Sequence, residues 1–108
     1  MRYAVLVLLV LLALTSVVFA EESGQQVVIE GFSFKPATLT IAVGTKVTWI
    51  NQDQVPHTVV SNNQLFSSPE LHANESFSFT FSEPGNYAYF CSIHPSMKGI
   101  IVVQPAKN

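Results

Sequence analysis

Apolar residues recur at every second position in several short runs, and this period constrains the fold more than any other feature. In residues 76–82 phenylalanine alternates with serine and threonine, and in residues 38–43 leucine, isoleucine and valine alternate with threonine and alanine. A strand turns successive side chains to opposite faces, so each run predicts one buried and one exposed face. Turn residues such as Pro84 and Gly85 separate the runs, and residues 65–73 are irregular. The pattern predicts an all-β protein, an antiparallel sandwich or barrel with no helical segment.

The first 20 residues have the features of a secretory signal peptide, and the rest is predicted to form one domain. Arg2 precedes an unbroken apolar run over residues 4–14, and small residues follow at Val18 and Ala20. A positive start, an apolar run and a small-residue cleavage site are the three parts of such a signal. Cleavage after Ala20 would leave residues 21–108, a length typical of one domain. The alternative is a retained membrane anchor, since residues 4–20 are slightly shorter than the about 20 residues that span a bilayer.

Export and charge narrow the possible locations and partners. A signal peptide predicts a protein of the periplasm or of the outer face of the cell membrane, in contact with the membrane only if the signal is retained. Five basic and seven acidic side chains give a formal net charge of −2, with no basic patch. A protein with this distribution of charge is not expected to bind nucleic acid.

The chain contains a single cysteine, Cys91, so an internal disulfide is excluded. Small exported domains often rely on disulfides, and a free thiol in an oxidising compartment is a liability unless something occupies it. His94 and Met97 follow Cys91 in one predicted hairpin loop, which ends just before the last strand. His57 begins a strand far upstream, and a strand start and a distant strand end can be neighbours in a sandwich. The four side chains are therefore predicted to bind one metal ion.

The chemical types of these four side chains favour copper. Two imidazoles and a thiolate with a weak, distant thioether make the trigonal site of copper proteins that transfer electrons. Zinc is the competing metal, but structural zinc sites more usually contain paired cysteines and gain little from a methionine. Each residue alone has an ordinary interpretation, as part of the core or as a surface histidine. Their combination in an exported chain predicts one copper ion per chain, which alternates between Cu(I) and Cu(II).

The loop and the strands around it resemble the type 1 (blue) copper proteins, the cupredoxins, and most closely their amicyanin and plastocyanin branch. The resemblance spans about residues 27–103 and rests on the segments 47–59, 79–87 and 89–99. The Cys-x2-His-x2-Met spacing is that of the short amicyanin loop. The resemblance implies a Greek-key antiparallel β-sandwich with the copper at one end, and a cupredoxin-like domain over residues 21–108.

The resemblance also implies roles for individual residues. Three equatorial copper ligands and one axial ligand are implied, namely His57, Cys91, His94 and Met97 in that order. Asn51 is expected to tie the two ligand loops together by a hydrogen bond to Ser92, the residue after the cysteine. Hydrogen bonds of this kind fix the orientation of the ligands and tune the reduction potential.

One copper site and three histidines in all predict an electron carrier rather than an enzyme. Multicopper oxidases and nitrite reductases need further copper centres with many histidines. Only His72 remains here, and it is interpreted as a solvent-facing side chain. The alternative function is copper delivery or storage, which faster exchange of copper would reveal. A metal-free, immunoglobulin-like adhesion sandwich would stay colourless with copper.

The loop histidine, His94, is expected to be more exposed than His57, because His57 enters a strand. Electrons would then enter and leave through His94. A small apolar rim would suit brief docking of redox partners such as c-type cytochromes or dehydrogenases, since transient redox contacts are small. The expected rim around His94 consists of Val55, Pro56, Ile93 and Pro95. The protein itself is expected to be a monomer.

Overall fold

Eight strands make up about half of the residues that the computed structural model describes, residues 24–106. The predicted signal peptide, residues 1–20, lies outside the described residues. The strands are β1 (Gly24–Ile29), β2 (Phe34–Lys35), β3 (Thr38–Ala42), β4 (Lys46–Asn51), β5 (Val60–Ser61), β6 (Ser76–Thr80), β7 (Gly85–Phe90) and β8 (Lys98–Gln104). Between residues 24 and 106 there is no helix long and apolar enough to cross a membrane.

The strands form two four-stranded sheets, ordered β2-β1-β4-β6 and β3-β8-β7-β5. The chain crosses from one sheet to the other after each of the strands β2 to β6, as in Greek-key sandwiches. The predicted sandwich is therefore confirmed, but its sheets are mixed. Strands β1 and β4 are parallel, as are β3 and β8, and the other pairs are antiparallel. Alternating hydrophobicity predicts which face of a strand is buried, and it carries no information about the direction of the neighbouring strand.

The core between the sheets is aromatic. Trp49 and Tyr89 are fully buried, and their rings meet edge to face with 5.4 Å between centroids. Phe81 is buried in the same cluster, and Phe77 and Phe79 pack against it half-buried. This arrangement confirms the core role predicted for Trp49 and for the phenylalanine stripe. Each fully buried side chain of this size contributes about 2–3 kcal/mol, which matters in a small domain.

Close packing of the core explains one glycine of the last strand. Tyr89 of β7 pairs with Gly99 of β8 across the sheet. A β-carbon on residue 99 would collide with the phenol ring of Tyr89. Strand β8, which follows the predicted ligand loop, can therefore pack against this ring because residue 99 has no side chain.

One end of the sandwich brings together the segments that carry the predicted ligands. The loop 91–97 joins β7 to β8, as predicted. His57 lies between β4 and β5 and pairs with Leu71 in an isolated antiparallel bridge, with backbone hydrogen bonds of 3.0 and 2.7 Å. The same irregular segment, residues 65–73, also pairs with β5 through Ser67. His57 is thus enclosed by the fold, and the other predicted ligands lie on a loop.

Candidate metal centre

The side chains of His57, Cys91 and His94 converge at this end of the sandwich. The Sγ atom of Cys91 lies 3.8 Å from the Nδ1 atom of His57 and 3.8 Å from the Nδ1 atom of His94. The two Nδ1 atoms are 3.2 Å apart. A point in the plane of these three atoms lies about 2.1 Å from each, close to the length of a metal–nitrogen bond in proteins. The three donors are therefore placed to bind one ion in a trigonal arrangement.

The two histidines of this cluster differ in exposure. His57 and Cys91 are fully buried, whereas His94 is half-buried. The prediction that His94 is the more exposed histidine is confirmed. The reason is that His94 lies on the loop, whereas His57 is enclosed by its bridge to Leu71. The cluster reaches the surface through one imidazole.

Met97, at the end of the same loop, is buried. Its carbonyl oxygen accepts a hydrogen bond of 3.1 Å from the N–H group of Cys91. Its own N–H group donates to the carbonyl oxygen of His94 at 2.9 Å. These two bonds close the loop and fix the backbone of the three residues relative to one another.

The surroundings of Cys91 favour its thiolate form. Burial acts to raise the pKa of the thiol, but hydrogen bonds outweigh it and lower the pKa to about 6. The largest of these contributions is the N–H group of Thr58, 3.4 Å from Sγ, followed by contacts with the ring of His57 and with His94. The thiolate is the form that binds metal ions. The surroundings of Cys91 therefore favour the form that binds a metal ion.

Asp53 holds the ring of His57 from the side opposite to the cysteine. Its Oδ2 atom lies 2.8 Å from the Nε2 atom of His57. An acceptor at Nε2 keeps the proton on that nitrogen and leaves Nδ1 as a metal donor. Burial acts to raise the pKa of Asp53, but the backbone N–H groups of Phe32 and Gly31 and the ring of His57 lower it below its ordinary value. Asp53 is therefore a carboxylate that orients His57.

The expected hydrogen bond between Asn51 and Ser92 is absent from residues 24–106, and this prediction is wrong. The Nδ2 group of Asn51 donates to the carbonyl oxygens of Val55 and Leu71, at 2.9 and 2.8 Å. Its Oδ1 atom accepts the N–H group of Asp53 at 2.9 Å. Both N–H bonds of the amide group are used by these carbonyl oxygens, so it has no donor left for the cysteine loop. Asn51 instead ties together the two segments that flank His57.

Thr58 takes the linking position expected of Asn51. The N–H group of Ser92 donates to the Oγ1 atom of Thr58 at 2.7 Å, and the two hydroxyl groups are also 2.7 Å apart. The hydroxyl of Thr58 lies 3.8 Å from the Sγ atom of Cys91. The residue after His57 and the residue after Cys91 are therefore joined directly, which links the two ligand segments.

No motif in the sequence singles out Asp53, Thr58 or Phe32, although all three contact the cluster. Thr58 has a signal, because it carries a hydroxyl and directly follows a predicted ligand. Asp53 has a weaker one, an acidic residue four positions before His57. Phe32 has none. Its ring centroid lies 5.3 Å from that of His57 and 5.0 Å from that of His94, and this contact depends on the turn between β1 and β2.

Similarity to known proteins identifies the family. The family model described as a cupredoxin-like domain matches residues 2–103. The chain belongs to the cupredoxin family. Amicyanin-alpha of Methylorubrum extorquens is 34% identical over 97 residues, which cover 85% of this cupredoxin and 82% of that protein. Plastocyanin of Scenedesmus fuscus is 38% identical over 84 residues, which cover 66% of this cupredoxin and 86% of the plastocyanin.

Solved structures agree with this assignment. A purple cupredoxin from Nitrosopumilus maritimus matches with a TM-score of 0.70 and 40% identity, over 73% of this cupredoxin and 98% of the other chain. A copper-containing nitrite reductase from Thermus scotoductus matches with a TM-score of 0.71 and 38% identity. That match covers 76% of this cupredoxin but only 22% of the reductase chain. The likeness to an enzyme therefore concerns a small part of it.

The donor set fits the metal that the sequence predicts. A buried thiolate and two imidazoles, with a methionine at the end of the loop, are the donors of electron-transfer copper. Four residues form this type 1 copper arrangement, namely His57, Cys91, His94 and Met97. The predictions of a cupredoxin fold, of one copper ion and of a one-electron carrier are confirmed by the fold, the site and the relatives.

Proposed function

We propose that this cupredoxin shuttles single electrons between exported redox proteins. In this proposal His57, Cys91 and His94 are the equatorial ligands of one copper ion, and Met97 is the axial ligand. The observation that carries the proposal is the triangle of donor atoms, with two Nδ1 atoms 3.2 Å apart and Sγ 3.8 Å from each. Copper bound there would supply one-electron chemistry by changing between Cu(II) and Cu(I).

The protein's part is to hold the ligands in place without help from the metal. Asp53 fixes the ring of His57, and Thr58 donates to Cys91 and is joined to the neighbouring Ser92. These bonds form within the protein, so they restrict the ligands in either oxidation state. A site whose ligands stay in place needs little rearrangement when an electron arrives or leaves. Rigid ligands therefore support rapid electron transfer.

The residues next to the two histidines are apolar and partly exposed. Val55 and Ile93 expose 37% and 39% of their surface. Pro95 is exposed and Pro56 is half-buried. We propose that redox partners, such as c-type cytochromes or dehydrogenases, dock on this rim and exchange electrons through His94. A small apolar contact without strong charge pairing suits a complex that must dissociate quickly.

We propose that the protein is a monomer and that it is located in the periplasm or at the outer face of the cell membrane. The signal features of residues 1–20 support export of a domain that spans residues 21–108. We assign no catalytic role to it. Among the histidine, cysteine and acidic side chains of residues 24–106, one group of three could bind a metal ion, namely His57, Cys91 and His94. Multicopper oxidases and nitrite reductases need more than one such group.

Copper loading followed by visible spectroscopy tests this function. We expect one Cu(II) per chain and an intense absorption band from charge transfer between the Cys91 thiolate and copper. The Cys91→Ser variant should lose the band. The matched control is His72→Ala, which should keep it, because His72 is exposed and lies outside the ligand cluster. A loaded protein without the band, or a band that survives in Cys91→Ser, would contradict the proposal.

Copper delivery or storage is the competing function, and the burial of two ligands argues against it. A delivery protein must release its ion readily, whereas His57 and Cys91 are fully buried. The rate of copper loss to an excess of chelator distinguishes the two. We expect the copper ion to stay bound for longer than many redox cycles take. Loss on the time of one cycle would favour delivery.

A further inference from the structure

An exposed phenylalanine lies against both ligand histidines. Phe32 leaves 51% of its surface exposed. Its ring centroid nevertheless lies 5.3 Å from that of His57 and 5.0 Å from that of His94. Its plane makes an angle of 87° with both imidazoles, which is the edge-to-face geometry that aromatic rings favour. One part of the ring therefore contacts the metal centre, and the rest faces solvent.

Phe32 reaches this position from a backbone conformation that its side chain disfavours. It lies in the two-residue turn between β1 and β2, which is closed by hydrogen bonds of 3.0 and 3.2 Å between Glu30 and Ser33. The two central residues have φ values of 61° at Gly31 and 57° at Phe32. Such turns favour glycine, asparagine or aspartate at both positions. A bulky residue with positive φ is uncommon, and when it occurs it often marks a functional constraint.

Asp53 holds this turn against the ligand. Its Oδ1 atom accepts the N–H group of Gly31 at 2.8 Å, and its Oδ2 atom accepts that of Phe32 at 3.0 Å. The same Oδ2 atom lies 2.8 Å from the Nε2 atom of His57. One carboxylate therefore joins the turn that carries the phenylalanine to the histidine that the phenylalanine covers.

We infer that Phe32 is a lid over the imidazole side of the copper centre and that Asp53 is the positioning residue that holds the lid closed. The lid limits the access of water and of small ligands, such as anions that bind copper, to the space between the histidines. This inference rests on the proposed copper function. A glycine at position 32 would suit the turn better, but it would leave the edges of both histidines uncovered.

Reaction of the Cys91 thiol with iodoacetamide in the apoprotein tests the lid without copper. The variant Phe32→Gly removes the ring and suits the turn, so it should fold. In the unchanged protein two edge-to-face aromatic contacts hold the ring over the site. Without the ring, we expect the thiol of the variant to react about tenfold faster. The matched control is Leu65→Ala, another exposed apolar side chain, which lines a pocket with Phe79 and Tyr87 away from the ligands. It should react at the unchanged rate.

Two variants of Asp53 test how the lid is held. Asp53→Ala removes all three hydrogen bonds and should approach the rate of Phe32→Gly. Asp53→Asn keeps one acceptor oxygen for the turn and should react at an intermediate rate. Thermal melts establish that each variant is folded at the assay temperature. Equal rates in Phe32→Gly and the unchanged protein would overturn the lid. A faster reaction in Phe32→Gly but not in Asp53→Ala would overturn the role of Asp53.

Azide binding to the copper-loaded protein is the second measurement. We expect azide to perturb the visible spectrum of Phe32→Gly at about tenfold lower concentration than in the unchanged protein, because the same contacts are lost. Leu65→Ala should behave like the unchanged protein. Equal azide affinity in all three would overturn the lid as a barrier at the metal. If the chain fails to bind copper, the proposed function fails, and the apoprotein thiol reaction still decides whether Phe32 covers the site.

Discussion

The Oδ2 atom of Asp53 lies 2.8 Å from the Nε2 atom of His57, and this contact sets the direction of the ligand's donor atom. The nitrogen on the opposite side of the ring, Nδ1, faces Cys91 at 3.8 Å. A carboxylate bonded to the far nitrogen makes an imidazole a more basic ligand. A more basic ligand stabilises Cu(II) relative to Cu(I), so Asp53 acts on the reduction potential as well as on geometry.

Asp53→Asn is therefore expected to raise the reduction potential of the copper, by tens of millivolts. The amide carries no negative charge, so His57 becomes a weaker donor and Cu(II) loses more stability than Cu(I). A redox titration followed through the visible band measures the shift. Glu83→Gln is the control, because it removes an exposed carboxylate on the turn between β6 and β7. A shift of equal size in both variants would show only a general effect of charge.

The thiol of Cys91 is expected to make the stability of the apoprotein depend on pH. Its pKa is about 6 in the folded chain, against an ordinary thiol value of 9.0. A group whose pKa is lowered by folding stabilises the folded state when it is ionised. The full contribution is present above pH 9 and is lost as the pH falls through about 6.

Urea unfolding of the apoprotein between these pH values measures the effect. The free energy of unfolding should rise with pH by at most about 1.4 kcal/mol per unit from this one group. Cys91→Ser is the control, since it retains the other titrating groups and lacks the thiol. The prediction concerns the difference between the two slopes. Slopes that coincide would mean that folding does not favour the thiolate.

The link between Thr58 and Ser92 is expected to stabilise the ligand end of the fold. Thr58→Val keeps the shape of the side chain but leaves the N–H group of Ser92 without its 2.7 Å acceptor. We expect a loss of about 1–2 kcal/mol in the free energy of unfolding. Thr48→Val is the matched control, because Thr48 also bonds a serine hydroxyl, that of Ser78, at 2.7 Å, but at an exposed position. If both variants lost the same free energy of unfolding, the hydrogen bond between Thr58 and Ser92 would contribute no more to stability than an exposed one.

The ligands could be predicted from the sequence because their chemistry is rare. A thiolate, an imidazole and a thioether within the segment 91–97 have few common explanations, and a loop between two strands brings them together by itself. Side chains that support the ligands carry no such mark. The partner predicted for Asn51 is wrong, because the choice between Ser92 and the carbonyl of Leu71 depends on ångström-scale placement. Phe32 approaches the site only through the conformation of one turn.

For the strands, too, the local sequence determines some features and distant contacts determine others. Alternation in residues 76–82 predicts that the phenylalanines of β6 face the core, and Phe77 and Phe79 do pack against it, half-buried, because the face of a side chain depends on the period alone. The parallel pairing of β1 with β4 and of β3 with β8 involves strands that are separated in the sequence. Such pairing is decided by how the two sheets pack as a whole. The alternation of a single strand is compatible with either direction of its neighbour.

Gly99→Ala is expected to destabilise the fold strongly. The new methyl group would collide with the ring of Tyr89, which is fully buried. Overpacking of this kind costs about 3 kcal/mol. Thermal or urea unfolding of the apoprotein measures it. Gly24→Ala is the control, because a β-carbon there meets only the carbonyl oxygen of Lys46 at an ordinary 3.9 Å. A loss no larger than that of the control would mean that the ring of Tyr89 can shift.

Met97 is expected to tune the potential of the copper more than it retains the ion. It is buried at the end of the ligand loop, and its backbone is fixed by hydrogen bonds to Cys91 and His94. Met97→Leu has a similar volume, so the loop should keep its shape at a cost below about 1.5 kcal/mol. The variant should keep copper and raise the reduction potential, because loss of a weak axial donor disfavours Cu(II).

Met97→Gln provides the opposing change at the same position. An amide oxygen is a stronger axial donor to Cu(II) than a thioether, so this variant should lower the reduction potential. Redox titrations of both loaded variants, compared with the unchanged protein, measure the two shifts. Because both substitutions disturb the same buried position, effects of packing alone would act in one direction. Shifts of opposite sign are therefore specific to an axial ligand, and shifts of the same sign would show that Met97 is not one.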